Sequence, residues 1–158
     1  MPRLPQATKL EIQCFEDLLP WLNGMVFHVT TPGAANAIEA SGHIEPNTTG
    51  ISSPFGNTSN GYFRNRGCVS LFDYRACGSP EWNEHSHKCL PTLPLTASDP
   101  IVILFLRAHE FAKLLPWSLW KEEEAWSQRV VPHIEVGYPG KLTVSAIDRV
   151  LFISQCQT

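Results

Sequence analysis

The stretch FHVTTPGAANAIEASGHIEP at residues 27–46 predicts the local architecture around which the chain is organised. It opens as a short apolar strand with a polar His-x-Thr ending, and a helix follows directly. Thr31 can cap that helix, Pro32 suits its first position, and Gly42 can adopt the left-handed conformation that ends it. The stretch therefore predicts a strand and then a helix over residues 32–41. It also makes His28, near the end of the strand, a candidate binding residue.

Size and charge restrict the classes of protein to which the chain can belong. Its 158 residues, 43% hydrophobic and 17% charged, suit one compact domain over residues 1–158. A net charge of −3 provides no basic face for nonspecific duplex binding. Neither an apolar signal core nor a run of about 20 apolar residues is present, so a cytoplasmic protein without membrane contact is expected. Five irregularly spaced cysteines disfavour a secreted disulfide framework.

Hydrophobic periodicity along the chain predicts both helices and strands. Helices are predicted at 9–22, 32–41, 108–115 and 118–129. Strands are predicted at 25–29, 68–74, 101–106, 133–136 and 150–154. The uninterrupted apolar run at 101–106 is typical of a central strand covered on both faces, while 47–60 and 76–99 are predicted to be irregular. The sum is an α+β domain with a mixed or antiparallel sheet and flanking helices.

Polar and aromatic side chains on three of these strands could gather at one pocket. The first strand carries His28 and Thr30, the second carries Ser70, Phe72 and Tyr74, and the last carries Glu135, which is predicted to face away from Ile134 and Val136. This order resembles the ADP-ribosyltransferase superfamily. The resemblance also includes the helix ending at Ser41-Gly42, the polar loop to Tyr62 and the segments 138–143 and 146–150. The resemblance is to the branch with a His, aromatic and Glu signature, and it covers about half of the chain.

The resemblance implies a split sheet that binds NAD in a cleft, loses nicotinamide and transfers ADP-ribose to an acceptor. Departure of nicotinamide leaves oxocarbenium character on the ribose, which a carboxylate stabilises while it orients or deprotonates the nucleophile. Glu135 is the candidate for this catalytic role. His28 would hydrogen-bond a ribose hydroxyl and Thr30 would support the adenosine side. Phe72 or Tyr74, with Tyr74 preferred, would stack against nicotinamide.

Arginines on either side of the second strand are candidates for binding the NAD pyrophosphate, because guanidinium groups bind phosphate oxygens in a bidentate way. Arg64 and Arg66 are the first candidates and Arg75 is a third. The chain departs from the family pattern where His133 stands two residues before Glu135, in place of a second acid. This departure argues against arginine modification of the Glu-x-Glu kind. The acceptor stays open among protein, nucleic acid and small molecule.

Structural explanations of the same residues remain open. His28 could be an ordinary structural histidine, Glu135 a solvent-facing strand residue, and the arginines members of surface ion pairs. Soft ligands in one predicted loop could bind structural zinc, although they lack a Cys-x2-Cys knuckle: Cys77, His85, His87 and Cys89. The alternative to an enzyme is a noncatalytic protein-interaction module on the same kind of sheet, which would use exposed tryptophans.

Overall fold

The computed structural model describes residues 3–46, 67–87, 90–115 and 134–156. Its strands are β1 Thr8–Ile12, β2 Val26–Thr30, β3 His43–Ile44, β4 Cys68–Asp73, β5 Ile101–Leu106, β6 Glu135–Pro139, β7 Leu142–Thr143 and β8 Ile147–Gln155. Its α-helices are α1 Phe15–Leu22, α2 Pro32–Ser41 and α3 Pro80–Ser86. Two 3₁₀ segments span Ala108–Lys113 and Val144–Ala146.

Six strands form a mixed sheet in the order β1-β8-β5-β2-β4-β6, and β3 pairs with β7 in a separate ladder. β1 lies parallel to β8, whereas the remaining neighbours in the large sheet are antiparallel. All six residues of β5 are buried between β8 and β2, as expected of the predicted central strand. The predicted α+β class with a mixed sheet is confirmed.

Apolar side chains cover both faces of this sheet. The first face carries a cluster that includes Phe27, Phe72 and Ile103, against which α1 packs with Leu18 and Leu22. The second face carries a separate cluster with Val26, Leu71 and Leu104, joined by Ala35 of α2. Successive side chains of a strand point to opposite faces, so each strand contributes to both clusters.

The sheet is almost divided between β2 and β4. These strands pair only at Val26↔Asp73 and Phe27↔Phe72. In contrast, β2 pairs with β5 over four residues and β4 pairs with β6 over five. The sheet therefore has a large part, β1-β8-β5-β2, and a small part, β4-β6, which meet at one end. We call the interval beyond Phe27 and Phe72, between residues 28–30 and 68–71, the split.

Several predicted elements have different bounds in the structure. The helix predicted at 9–22 is β1 followed by α1, because the parallel ladder to β8 holds residues 8–12 extended. The region 76–99, predicted to be irregular, contains α3, which begins where the Ser79 hydroxyl accepts from the Trp82 amide. The strand predicted at 150–154 is longer in the structure, where β8 begins at Ile147 and ends at Gln155. The predicted loop 47–60 and helix 118–129 lie outside the described residues.

No helix in the described parts of the chain is long and apolar enough to cross a membrane.

The predicted strand and helix around residues 27–46 are confirmed. The Thr31 hydroxyl accepts from the Ala34 amide at 3.1 Å, and Pro32 is the first residue of α2. Gly42 ends the helix with φ of 87° and donates its amide to the Ile38 carbonyl at 2.8 Å. Only glycine adopts that conformation without steric strain from a Cβ atom.

The two glycines at the ends of α2 provide a test of this geometry. We expect Gly42→Ala to lower the free energy of unfolding by about 1 kcal/mol, because alanine would be held in the left-handed region. Gly33→Ala is the matched control, since a Cβ atom there meets no atom within 4 Å and Gly33 lies inside the helix. Urea denaturation of both variants measures the difference. An equal effect of the two substitutions would contradict this account of Gly42.

Candidate functional site

His28 lies at the split, where the ladder between β2 and β4 has ended. Its Nδ1 is 3.3 Å from the Ser70 carbonyl oxygen of β4. A carbonyl only accepts, so Nδ1 must carry the hydrogen of this bond. Burial lowers the pKa of His28 below the ordinary histidine value, and the bond to Ser70 opposes that shift. The ring is therefore neutral at pH 7, and its Nε2 is a hydrogen-bond acceptor.

Thr30 follows on the same face of β2. It is 8% exposed, opposite Val102 of β5. Among the described residues, neither the Thr30 hydroxyl nor His28 Nε2 has a hydrogen-bond partner. His28 is half-buried, and among the described side chains these two unpartnered atoms are not fully buried, so the two groups are not sealed from solvent. These two groups can therefore both bind a hydroxyl-rich ligand.

Glu135 begins β6, on the opposite face of the sheet from His28. It pairs with Phe72, which in turn pairs with Phe27, so the three side chains form one row on the first face. His28 follows Phe27 and points to the second face. Glu135 is 4% exposed, so it is not a solvent-facing residue. The prediction that Ile134 and Val136 share one side of the strand is wrong: Ile134 packs in the first-face cluster and Val136 in the second. Ile134 precedes β6, so the alternation of the strand does not apply to it.

The aromatic residues predicted to stack on nicotinamide lie in the core. Phe72 stacks on Phe27 with ring centroids 5.4 Å apart. Tyr74 is completely buried, edge-on to Phe27 at 5.0 Å and to Trp82 at 4.7 Å. These contacts support a packing role for both rings. They give no support to the preferred stacking role of Tyr74, because its ring is covered by protein.

Arg75, the third candidate for the pyrophosphate contact, is bound to groups of the protein itself. Its guanidinium donates to both carboxylate oxygens of Asp73, at 2.9 and 2.8 Å, and lies 5.3 Å from the ring centroid of Phe111. The hydrogen bond to Asp73 raises the pKa of Arg75. Arg75 follows β4 at the joined end, so it lies away from the split and its charge is already paired. Arg64 and Arg66 lie outside the described residues.

The residues considered for zinc are not brought together by the described structure. Cys77 is half-buried against the first-face cluster, and burial raises the pKa of its thiol. His85 lies in the last turn of α3 and His87 follows it, while Cys89 is outside the described residues. Within those residues, no group of three or more His, Cys, Asp or Glu could hold a metal ion.

The tryptophans that the interaction-module hypothesis requires are packed where they are described. Trp82 is 4% exposed and donates Nε1–H to the Asp73 carbonyl at 3.1 Å. Trp21 packs against the first-face cluster, with Arg149 5.7 Å from its ring centroid. The other three tryptophans, Trp117, Trp120 and Trp126, lie outside the described residues.

Glu110, which was not among the predicted site residues, is a carboxylate that is only 8% exposed. Its Oε2 lies 2.7 Å from Lys113 Nζ and 3.5 Å from the Tyr138 hydroxyl. The i, i+3 spacing of Glu110 and Lys113 is the local signal for this pair, but the contact with β6 depends on the tertiary fold. Glu110 thereby connects the 3₁₀ segment Ala108–Lys113 to the small part of the sheet.

The lowered pKa of His28 predicts a pH dependence of stability. As the pH falls through 6.5, the unfolded state takes up a proton at this residue more readily than the native state, whose histidine pKa is lower, so acidification favours unfolding. We expect wild type to lose stability relative to His28→Gln as the pH falls from 7 to 5, by at most about 1.4 kcal/mol per pH unit. Urea denaturation at several pH values measures this. His109→Gln reports the effect of removing an exposed imidazole, and a pH-independent difference for His28→Gln would contradict the prediction.

No family model, curated protein or solved structure matches this chain.

Proposed function

We propose that this domain binds NAD in the split and transfers its ADP-ribose to an acceptor, as an ADP-ribosyltransferase-like protein. The observation that carries the proposal is His28, which bonds the Ser70 carbonyl through Nδ1 and keeps Nε2 for a ligand. It stands where β2 and β4 cease to pair. A split sheet with a histidine on a strand at the edge of the split is the arrangement that the family resemblance implies.

The hydrogen-bonding groups of β2 suit the ribose hydroxyls of NAD. A ribose hydroxyl can donate to His28 Nε2, and the Thr30 hydroxyl can either donate or accept. His28 and Thr30 are two residues apart on one face, which places their side chains roughly 7 Å apart along the strand. This spacing allows one nucleoside to contact both residues. Thr30 then supports the adenosine side of the cofactor.

Glu135 is the proposed catalytic carboxylate. When the bond between nicotinamide and ribose C1′ breaks, nicotinamide leaves with the electron pair and C1′ becomes oxocarbenium-like. A carboxylate nearby stabilises that positive charge and accepts the proton of the attacking nucleophile. Glu135 and His28 lie on opposite faces but flank the same pair, Phe27↔Phe72, at the joined end of the split. β4 lies between Glu135 and the split, so the catalytic role proposed for Glu135 requires the reacting ribose to reach past Phe72 on the first face.

The opposite orientation of these two residues also favours a second candidate, a noncatalytic binding module. In that case His28 and Thr30 would bind the ligand while Glu135 has only a structural role.

The acceptor of ADP-ribose in the transfer reaction is a protein, a nucleic acid or a small molecule. His133, which lies outside the described residues, stands where arginine-modifying members have a second acid.

Thermal unfolding with and without NAD tests the cofactor. At tenfold excess over its dissociation constant, NAD should stabilise wild type by about 1.4 kcal/mol, which raises Tm by roughly 3–6 °C. His28→Ala and Thr30→Val should lose most of this shift, because each removes a proposed ribose contact. His109→Ala, whose side chain is 73% exposed on a 3₁₀ segment, is the control and should keep it. Absence of a shift for wild type at millimolar NAD would contradict the proposal.

Nicotinamide release separates transfer from binding. Glu135→Gln should retain the thermal shift but release nicotinamide roughly a hundredfold more slowly, because the developing charge loses its carboxylate. Glu11→Gln is the matched control, since Glu11 is an exposed carboxylate on β1 at the far edge of the sheet. A normal shift in wild type without any nicotinamide release, with free nicotinamide quantified chromatographically, would favour the binding module over the enzyme.

A further inference from the structure

The two parts of the sheet are joined firmly at the closed end of the split. Beside the Phe27↔Phe72 pair, Gly24 donates its amide to the Tyr74 carbonyl at 2.9 Å, and Tyr74 donates to the Met25 carbonyl at 2.8 Å. The rings of Phe27 and Phe72 stack across this junction. Hydrogen bonds and buried rings act at the same place, so relative motion of the two parts would pivot here.

A second connection lies between β3 and β7. β3 follows α2, which packs against β5 in the large part, and β7 follows β6 of the small part through the turn at Gly140. The ladder between them has two pairs, His43↔Thr143 and Ile44↔Leu142. One more backbone bond, from the Val144 amide to the Gly42 carbonyl at 3.0 Å, extends it. Residues 43–45 and 141–143 therefore form one connection between the large and small parts, and we call them the clasp. Another is the backbone pair of Leu115, which follows the 3₁₀ segment after β5, with Gly137 of β6.

The clasp has a buried side and a charged side. Ile44 and Leu142 are 7% and 0% exposed and belong to the second-face cluster, the face to which His28 and Thr30 point. On the outside, Glu45 Oε1 lies 3.6 Å from Lys141 Nζ, and these side chains are 65% and 62% exposed. The same carboxylate oxygen lies 3.2 Å from His43 Nε2. These contacts with His43 and then Lys141 lower the pKa of Glu45, so the carboxylate is ionised at neutral pH.

We propose that the clasp sets the opening of the split and so controls access to His28 and Thr30. A two-pair ladder with an exposed ion pair opens at lower free energy than the buried, hydrogen-bonded junction at the closed end. When it opens, β4 and β6 move away from β2 about the pivot at Phe27 and Phe72, and the bond from His28 Nδ1 to the Ser70 carbonyl breaks. When it closes, the apolar pair Ile44 and Leu142 returns to the second-face cluster. The part of this proposal that concerns the ligand rests on the proposed function.

Charge reversal across the clasp tests the proposal without a ligand. Lys141→Glu places two carboxylates opposite each other, which should speed amide hydrogen exchange in residues 43–44 and 142–143 roughly threefold to fivefold. Because opening of the split breaks the bond from His28 Nδ1 to the Ser70 carbonyl, deuterium exchange at the C2–H of the His28 ring should speed up by a similar factor. The swap Glu45→Lys with Lys141→Glu should restore wild-type exchange at pH 8. Lys9→Glu, on the exposed part of β1 at the far edge of the sheet, is the control and should change neither exchange rate.

Faster exchange in the clasp with unchanged exchange at the His28 ring would overturn the proposal, because the clasp would then open without the split. A second experiment measures the association and dissociation rates of NAD. Lys141→Glu should raise its association and dissociation rates, and the swap should return both to the wild-type values. Unchanged rates in a protein that does bind NAD would overturn the access role. Failure of wild type to bind NAD would instead count against the proposed function, while hydrogen exchange would still decide whether the clasp opens the split.

Discussion

The short ladder between β2 and β4 is the constraint on which the structure around the candidate site depends. Its last pair, Phe27↔Phe72, is reinforced by stacked rings and by the buried ring of Tyr74. Beyond that pair, Ser70 directs a carbonyl towards β2 and accepts from the His28 imidazole rather than from a backbone amide. A side chain thus replaces a ladder bond at the point where the strands separate. This replacement brings a titratable, ligand-competent group into the middle of an otherwise apolar sheet.

Burial and hydrogen bonding together decide the chemical state of that group. Loss of water around the ring disfavours the imidazolium, and the Ser70 carbonyl selects the tautomer with hydrogen on Nδ1. The remaining nitrogen then has one function, to accept a hydrogen bond. Apolar clusters on both faces provide the burial, so the same packing that stabilises the sheet also keeps His28 neutral.

Local sequence signals were sufficient for elements whose stability is largely local or whose burial is complete. The cap at Thr31, the proline at the first position and the glycine stop predicted α2, and the continuous apolar run predicted β5. The prediction of a helix at residues 9–12 was wrong, because Leu10 and Ile12 also fit helical spacing. Only pairing with β8, more than 130 residues away, holds this segment extended as β1. For α3, the cap at Ser79 and the proline after it were present but lacked an apolar face long enough to predict a helix.

The sequence by itself determined the α+β class, the residue types near the split and which residues of one strand share a face, because side-chain alternation is a property of each strand alone. Only the tertiary structure decided that Glu135 joins the row of Phe72 while His28 faces away from it, that Arg75 is paired with Asp73, and that Tyr74 is covered. These outcomes depend on register between strands distant in sequence, which is selected by packing on both faces. No local pattern specifies that selection, and it is what places the candidate residues around the split.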